Sequence, residues 1–241
     1  PAVRTITGRN GGRYYCAPGG PYPSVTTVIG KMLPKDALEK WRDEVGHDVA
    51  DDIARRAADR GTFMHLMHEA AMDMRGDPDV LFKAYEAAKV AAGGKIGPDE
   101  ITRGYKLFCN FYATDFYDGI DSVVCQEEAV WSPLGGGFAG RVDLLVRATD
   151  GTIKLVDFKS SKGPKQRSWI VGYELQAAAY CAALRDVKGI FPDRAEIWIS
   201  AETGGVQVFD MDRPLIVSRL REFHALVVAY HKRYENEHSN G

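Results

Sequence analysis

Leu155-Val156-Asp157-Phe158-Lys159-Ser160-Ser161, LVDFKSS, sets an acid and a base two residues apart in a run that otherwise reads as a buried strand. Side chains alternate along a strand, so Asp157 and Lys159 share one face while Val156 and Phe158 take the other. The run before it, GRVDLLV at 140–146, reads as a second strand with a single acid, Asp143, and Asp150-Gly151 marks the turn between them. A two-residue turn at 150–151 would set Asp143 opposite Phe158, with the aspartates on opposite faces. A three-residue turn, 149–151, with Gly151 left-handed, sets Asp143 opposite Asp157. Only the odd length brings two carboxylates and an ammonium onto one surface. There the hard oxygens can hold a divalent cation of the Mg²⁺ type, and Lys159 can orient a water or stabilise developing negative charge. The same triplet also suits a strand-end salt bridge, and alone it does not separate the two readings.

Working outward, Glu127 in CQEEAVW would stand on a neighbouring strand as a third carboxylate, with Glu128 on the opposite face as the alternative. Adjacent glutamates on a strand also mark a solvated edge. In RGTFMHLMHEA, His65 lies one helical turn from both Gly61 and Glu69, and its imidazole can complete a metal sphere, with His68 as its competitor. In WIVGYELQAAAYCAAL, Trp169, Tyr173, Gln176 and Tyr180 fall on one helical stripe. That stripe reads either as an aromatic core seam with one satisfied glutamine or as a surface that holds a phosphate, a base or the lysine. Between strand and helix, Lys154, Lys159, Lys162, Lys165 and Arg167 face the single acid Asp157, a basic patch suited to a polyanion or a solvated loop.

The remaining chain bounds these readings. Its 241 residues, 45% hydrophobic and 27% charged, suffice for a globular core. A formal net charge of −2 excludes a generally basic nucleic-acid coat, so any such contact is local. Cys16, Cys109, Cys125 and Cys181 are scattered without a CxxC pair, which points to reduced thiols in a cytosol-like compartment and to no iron–sulfur cluster. No apolar run reaches the roughly 20 residues needed to span a bilayer, and the opening PAVRTITGRNGG has no signal-peptide core, so a soluble protein with no membrane partner is expected. A two-residue hairpin turn is expected at Asn10-Gly11. Helices are expected from Ser24 to Met32, Asp36 to Val45, Asp48 to Met74, Pro78 to Ala92 and Pro98 to Tyr117. Strands follow at 122–131, 139–147 and 152–159, then a helix from Ser168 to Leu184, strands AEIWIS and VQVFDM, and a last amphipathic helix. The fold class is therefore α/β, with a helical N-terminal half.

Taken in order, GTFMH, the glutamate, GRVD, VDFK and QAAAY resemble the RecB-like branch of the PD-(D/E)XK nucleases, and YPSVTTVIGKMLPKDALEKW resembles the lead-in of its mitochondrial genome maintenance exonuclease and related phage exonucleases. The resemblance implies a restriction-endonuclease-like mixed central sheet flanked by helices. Residues 1–121 would form a hairpin and helical region arching over the site, and 122–241 the catalytic core of a single nuclease domain. It implies metal-sphere roles for His65, Glu127, Asp143 and Asp157 and for the backbone carbonyl of Phe158, and the catalytic lysine in Lys159. Gln176 and Tyr180 would form the accessory motif, with Tyr173, Lys162, Lys165 and Arg167 beside them as DNA contacts. It further implies Mg²⁺ or Mn²⁺ and hydrolysis of DNA, single-stranded or with a free end, by an exonuclease. A structure-specific endonuclease and a non-catalytic DNA-binding module are the competing readings. The expected compartment is cytoplasmic, the host cytoplasm for a phage enzyme, in preference to the mitochondrial matrix.

Overall fold

The computed structural model describes residues 3–235. The chain opens with a small antiparallel sheet of β1 (Thr5–Thr7), β2 (Arg13–Tyr15) and β3 (Tyr22–Pro23). Thr7 pairs with Arg13, so residues 8–12 form the loop and the expected two-residue turn at Asn10-Gly11 does not occur. Asn10 explains the longer loop. Its side-chain Oδ1 accepts from Gly12 N–H at 2.9 Å, and its side-chain amide donates to the Tyr14 and Tyr230 hydroxyls at 3.0 and 2.8 Å, tying the loop to Tyr230.

Five helices follow: α1 (Val25–Met32), α2 (Asp36–Val45), α3 (His47–Asp73), α4 (Val80–Ala92) and α5 (Pro98–Tyr112). Ser24 caps α1, its hydroxyl accepting from Thr27 N–H at 3.0 Å. The fifth helix stops short of the expected Tyr117. The Thr114 hydroxyl donates to the Phe111 carbonyl at 2.6 Å and accepts from Phe116 N–H at 3.3 Å, diverting the backbone from the helical ladder. Tyr117 then turns back so that its hydroxyl meets His68 Nδ1 at 3.0 Å.

The central sheet runs in the order β4 (Ile120–Ser132), β5 (Phe138–Ala148), β6 (Ile153–Ser161), β7 (Arg194–Ala201), β8 (Gly205–Met211). Every adjacent pair is antiparallel except β6 and β7, which are parallel and joined by α6 (Val171–Lys188). A last helix, α7, spans Arg213–Glu235. The sheet is therefore mixed and flanked by helices on both faces. Leu145, Leu155 and Ile197 pack with Leu184 of α6 and Phe223 of α7. On the other face, Val146, Val156 and Phe158 pack with Phe63 and Met67 of α3 and Phe108 and Phe111 of α5. Burying each of these large side chains contributes about 1.5–3 kcal/mol. The two layers hold α3 and α6 on either side of the β5–β6 pair.

The register of that pair has the odd-length form. Leu144 lies opposite Val156 and Arg147 opposite Ile153, with residues 149–151 as the turn and Gly151 at φ +84°. One step beyond Leu144 and Val156 sets Asp143 across from Asp157, where the backbone ladder opens. Asp143 Oδ2 takes the place of a strand carbonyl there, accepting from Phe158 N–H at 2.8 Å.

Candidate active site

Three strands and α3 bring the acids together. On β4 and β5, Gln126 lies opposite Leu144 and Glu128 opposite Val142. Leu144 packs on the α3 side and Val142 on the α6 side, although residues two apart on a regular strand share a face. Both strands thus turn over at Glu127 and Asp143, and Glu127 takes φ +46°, a left-handed conformation that a non-glycine residue adopts only at a cost of about 1–3 kcal/mol. The turnover aims Glu127 at His65. Glu128 goes the other way, to Lys188 at 2.8 Å.

His65 Nδ1 stands 3.9 Å from Glu127 Oε1 and 3.7 Å from Asp143 Oδ2. Each of the three residues offers a ligand atom within 4.8 Å of the others. Asp157 is the next carboxylate inward and is otherwise engaged. Its Oδ2 pairs with Lys159 Nζ, and its Oδ1 accepts from Gln176 Nε2 at 3.1 Å. The Phe158 carbonyl accepts from Lys159 Nζ at 3.4 Å, and the ammonium lies 5.3 Å from the centre of the Tyr173 ring. Gln176 also donates to the Tyr180 hydroxyl at 3.2 Å. His65, Glu127 and Asp143 thus form one group, and Asp157, Lys159, Gln176, Tyr180 and Tyr173 a chain beside it.

Burial is the dominant electrostatic influence, and the closeness of the acids adds to it. Burial and the neighbouring Asp143 carboxylate push Glu127 up to about 7, against the opposing pull of His65 and Arg141. Burial pushes Asp157 up to about 6, with Lys159 opposing and Asp143 adding to the rise. Burial pulls Lys159 down, but Asp157 and Asp143 outweigh it and hold the ammonium above its ordinary value. A cation among these oxygens would relieve the repulsion. Carboxylates with one imidazole suit a hard divalent ion, so the residues present fit the kind of metal that the resemblance implies.

The remaining sequence-derived positions divide. Lys162 and Lys165 lie on the loop after β6, where the Lys162 carbonyl accepts from Thr203 and Lys165 N–H donates to Gln207 Oε1 at 2.7 Å, beside the β7–β8 turn. Arg167 is drawn off by Glu174, a fully buried acid that it meets at 2.9 Å and that Arg219 of α7 meets at 2.8 Å. Trp169 is 62% exposed and so departs from a core seam, because Ile170, at the helix N-cap, is the residue that enters the core. His68 is core: its ring stacks on Phe158 at 3.8 Å, and burial pulls its pKa well down.

A cleft of about 660 Å³ opens over the site. Besides the acids, Lys159, Gln176 and Tyr180, it is lined by Ala57, Ala58, Gly61 and Thr62 of α3, by Arg141, and by Thr5, Arg13, Tyr15 and Thr26 of the N-terminal region. The sequence reading had not assigned Arg141, whose guanidinium lies 3.6 Å from Glu127. Its place in GRVD, two residues before Asp143, was the available signal. Gly140 in the same motif has a steric reason, since a side chain there would enter the Tyr180 ring. Gly140→Ala is therefore expected to displace Tyr180 and to destabilise the protein by about 1–3 kcal/mol, measured by chemical denaturation. Gly140→Ala should cost little further stability in a Tyr180→Ala background, where the ring it would meet is gone.

Residues 10–237 match the PD-(D/E)XK nuclease superfamily, and the chain belongs to that family. Among solved structures it is similar to a candidate exonuclease from Eubacterium rectale, at 12% identity and a TM-score of 0.43 over 61% of this chain and 60% of that one. It is also similar to SSO0001, at 13% identity and a TM-score of 0.33 over 68% of this chain and 73% of that one. The chain thus spans less than two thirds of the Eubacterium rectale protein. No curated protein matches significantly. No helix among the described residues is long and apolar enough to cross a membrane.

Proposed function

We propose that the protein is a deoxyribonuclease dependent on Mg²⁺ or Mn²⁺, acting as an exonuclease on single-stranded or frayed DNA ends in replication, recombination or repair. The observation that carries this reading is the convergence of His65, Glu127 and Asp143 beside the Asp157–Lys159 pair at the floor of one cleft. His65, Glu127, Asp143, Asp157 and the Phe158 carbonyl would hold the cation. When bound, it supplies Lewis-acid polarisation of a phosphoryl oxygen and a more acidic water.

The chain's own residues do the rest. Lys159, kept charged by two aspartates, donates to a non-bridging phosphoryl oxygen as water adds to phosphorus and the P–O bond to the leaving sugar breaks. Gln176 fixes the Asp157 carboxylate, and Tyr180 fixes Gln176, so the lysine is held from below. Helix α2 and the first half of α3, solvent-exposed over most of their length, are suited to arch over an incoming strand.

The test is cleavage of labelled linear, closed-circular and single-stranded DNA with Mg²⁺, Mn²⁺ or EDTA, alongside the Lys159→Ala protein. Metal-dependent shortening of linear and single-stranded DNA, with circles intact, is expected. Cutting of closed circles would make the protein an endonuclease, and tight binding without cutting in either metal would make it a binding module.

A further inference from the structure

Glu69, Glu127 and Asp143 line the cleft and Asp157 lies beneath it, so compensating cations on the walls favour the approach of a polyanion. The lysine and arginine side chains lining the cleft are Arg13, Arg141 and Lys159. Lys159 is committed to Asp157, and Arg141 is partly neutralised by Glu127 at 3.6 Å. Arg13 has no carboxylate partner among the described residues. Its guanidinium is exposed, donates to the Thr26 hydroxyl at 3.4 Å and lies 5.7 Å from the centre of the Tyr15 ring.

The fold explains how a residue so far from Asp143 in sequence reaches the same cleft. Arg13 and Tyr15 are two apart on β2 and share its face, and Thr5, paired with Tyr15, adds a hydroxyl to the same wall. A bridge between Ser24 and Ala139 fastens this small sheet to β5, two residues before Arg141. Another wall is formed by α3, small and uncharged at Ala57, Ala58, Gly61 and Thr62 ahead of His65 and Glu69. One wall therefore offers two guanidiniums, whose forked donors match phosphate oxygens, and the other offers small side chains against which flat groups can lie.

We propose that Arg13, with Arg141 beside it, holds the backbone phosphate next to the one being cleaved, so that the sugar–phosphate backbone runs along the N-terminal sheet and the bases face α3. The assignment rests on the nuclease reading and adds the side of the cleft on which the substrate lies. Arg13 is a positioning residue. It touches a phosphate that does not react, and its loss falls on KM rather than on turnover.

The experiment compares wild type, Arg13→Ala and Arg13→Lys on oligonucleotides that are unmodified or carry one methylphosphonate at successive positions around the cleavage site. For Arg13→Ala, KM is expected to rise roughly tenfold or more, as for loss of a charge-assisted hydrogen bond, and the slope of log affinity against log salt to flatten by about 0.7–1. Arg13→Lys should recover part of the loss, since it keeps the charge but not the fork. Neutralising the adjacent phosphate should penalise wild type more than the Arg13→Ala variant, which keeps only the Arg141 contact. An unchanged KM and salt slope in a folded Arg13→Ala protein, or a methylphosphonate penalty as large in the variant as in wild type, overturns the assignment and leaves the nuclease reading standing. A wild-type protein that neither binds nor cuts DNA with either metal overturns both.

Discussion

Asp143→Asn is expected to lower cleavage more than a hundredfold and, at the same time, to make the metal-free protein more stable. The two effects have one cause. Asp143 stands 3.7 Å from His65 Nδ1 and adds to the rise in both Glu127 and Asp157, so removing its charge lifts a repulsion that those two acids bear until a cation arrives. Loss of an outer partner of a metal ligand already costs about 10–100-fold, and loss of a ligand itself should exceed that. Asparagine retains an acceptor for Phe158 N–H, which alanine would remove, so the β5–β6 junction survives the substitution. Each kcal/mol of relieved repulsion should raise the melting temperature in EDTA by about 2–4 °C. Differential scanning calorimetry with EDTA and with Mn²⁺ checks this: the metal should stabilise wild type more than the variant. Cleavage within a few-fold of wild type would remove Asp143 from the site.

Lys159→Met is expected to reduce single-turnover cleavage by about 10²–10³-fold, the usual effect of removing one donor to a developing oxyanion. Binding of the oligonucleotide in Ca²⁺ should weaken far less. Stability separates the proposed catalytic role of the lysine from its structural one. Removing Lys159 alone leaves Asp157, 1% exposed, without its counter-ion, a situation that typically costs about 3–5 kcal/mol in a buried pair. Replacing both, as Lys159→Met with Asp157→Asn, should restore most of that stability and none of the activity. Denaturant unfolding and single-turnover kinetics on the same preparations give the comparison. A double variant as unstable as Lys159→Met would mean that the ion pair is not the source of the loss.

These expectations draw on features of unequal legibility in the sequence. The β5–β6 register could be posed from turn length alone, because strand periodicity makes a one-residue change exchange the faces, and Gly151 was available for the left-handed position. The N-cap of α1 was legible in Ser24 for an equally local reason. Glu127 was not fully so. Alternation favoured it over Glu128, but its aim depends on a left-handed backbone at Glu127 itself, and no residue type announces that. Arg167 illustrates a different failure. Its charge suggested a substrate contact, but a buried acid seven residues on, held also by α7, claims it, and that partnership arises only when α6 and α7 pack. Arg13 was overlooked because nothing within its own hairpin points to Asp143. Their proximity follows from the bridge that docks the small sheet on β5.

The turn at 149–151 extends the proposed site beyond the residues that line it. Loops on a protein surface ordinarily tolerate gain or loss of a residue, yet here the parity of a solvent-facing connection decides whether two acids look at each other or away. Gain or loss of one residue there that shifted the β5–β6 register would turn the two aspartates onto opposite faces, with every side chain still encoded.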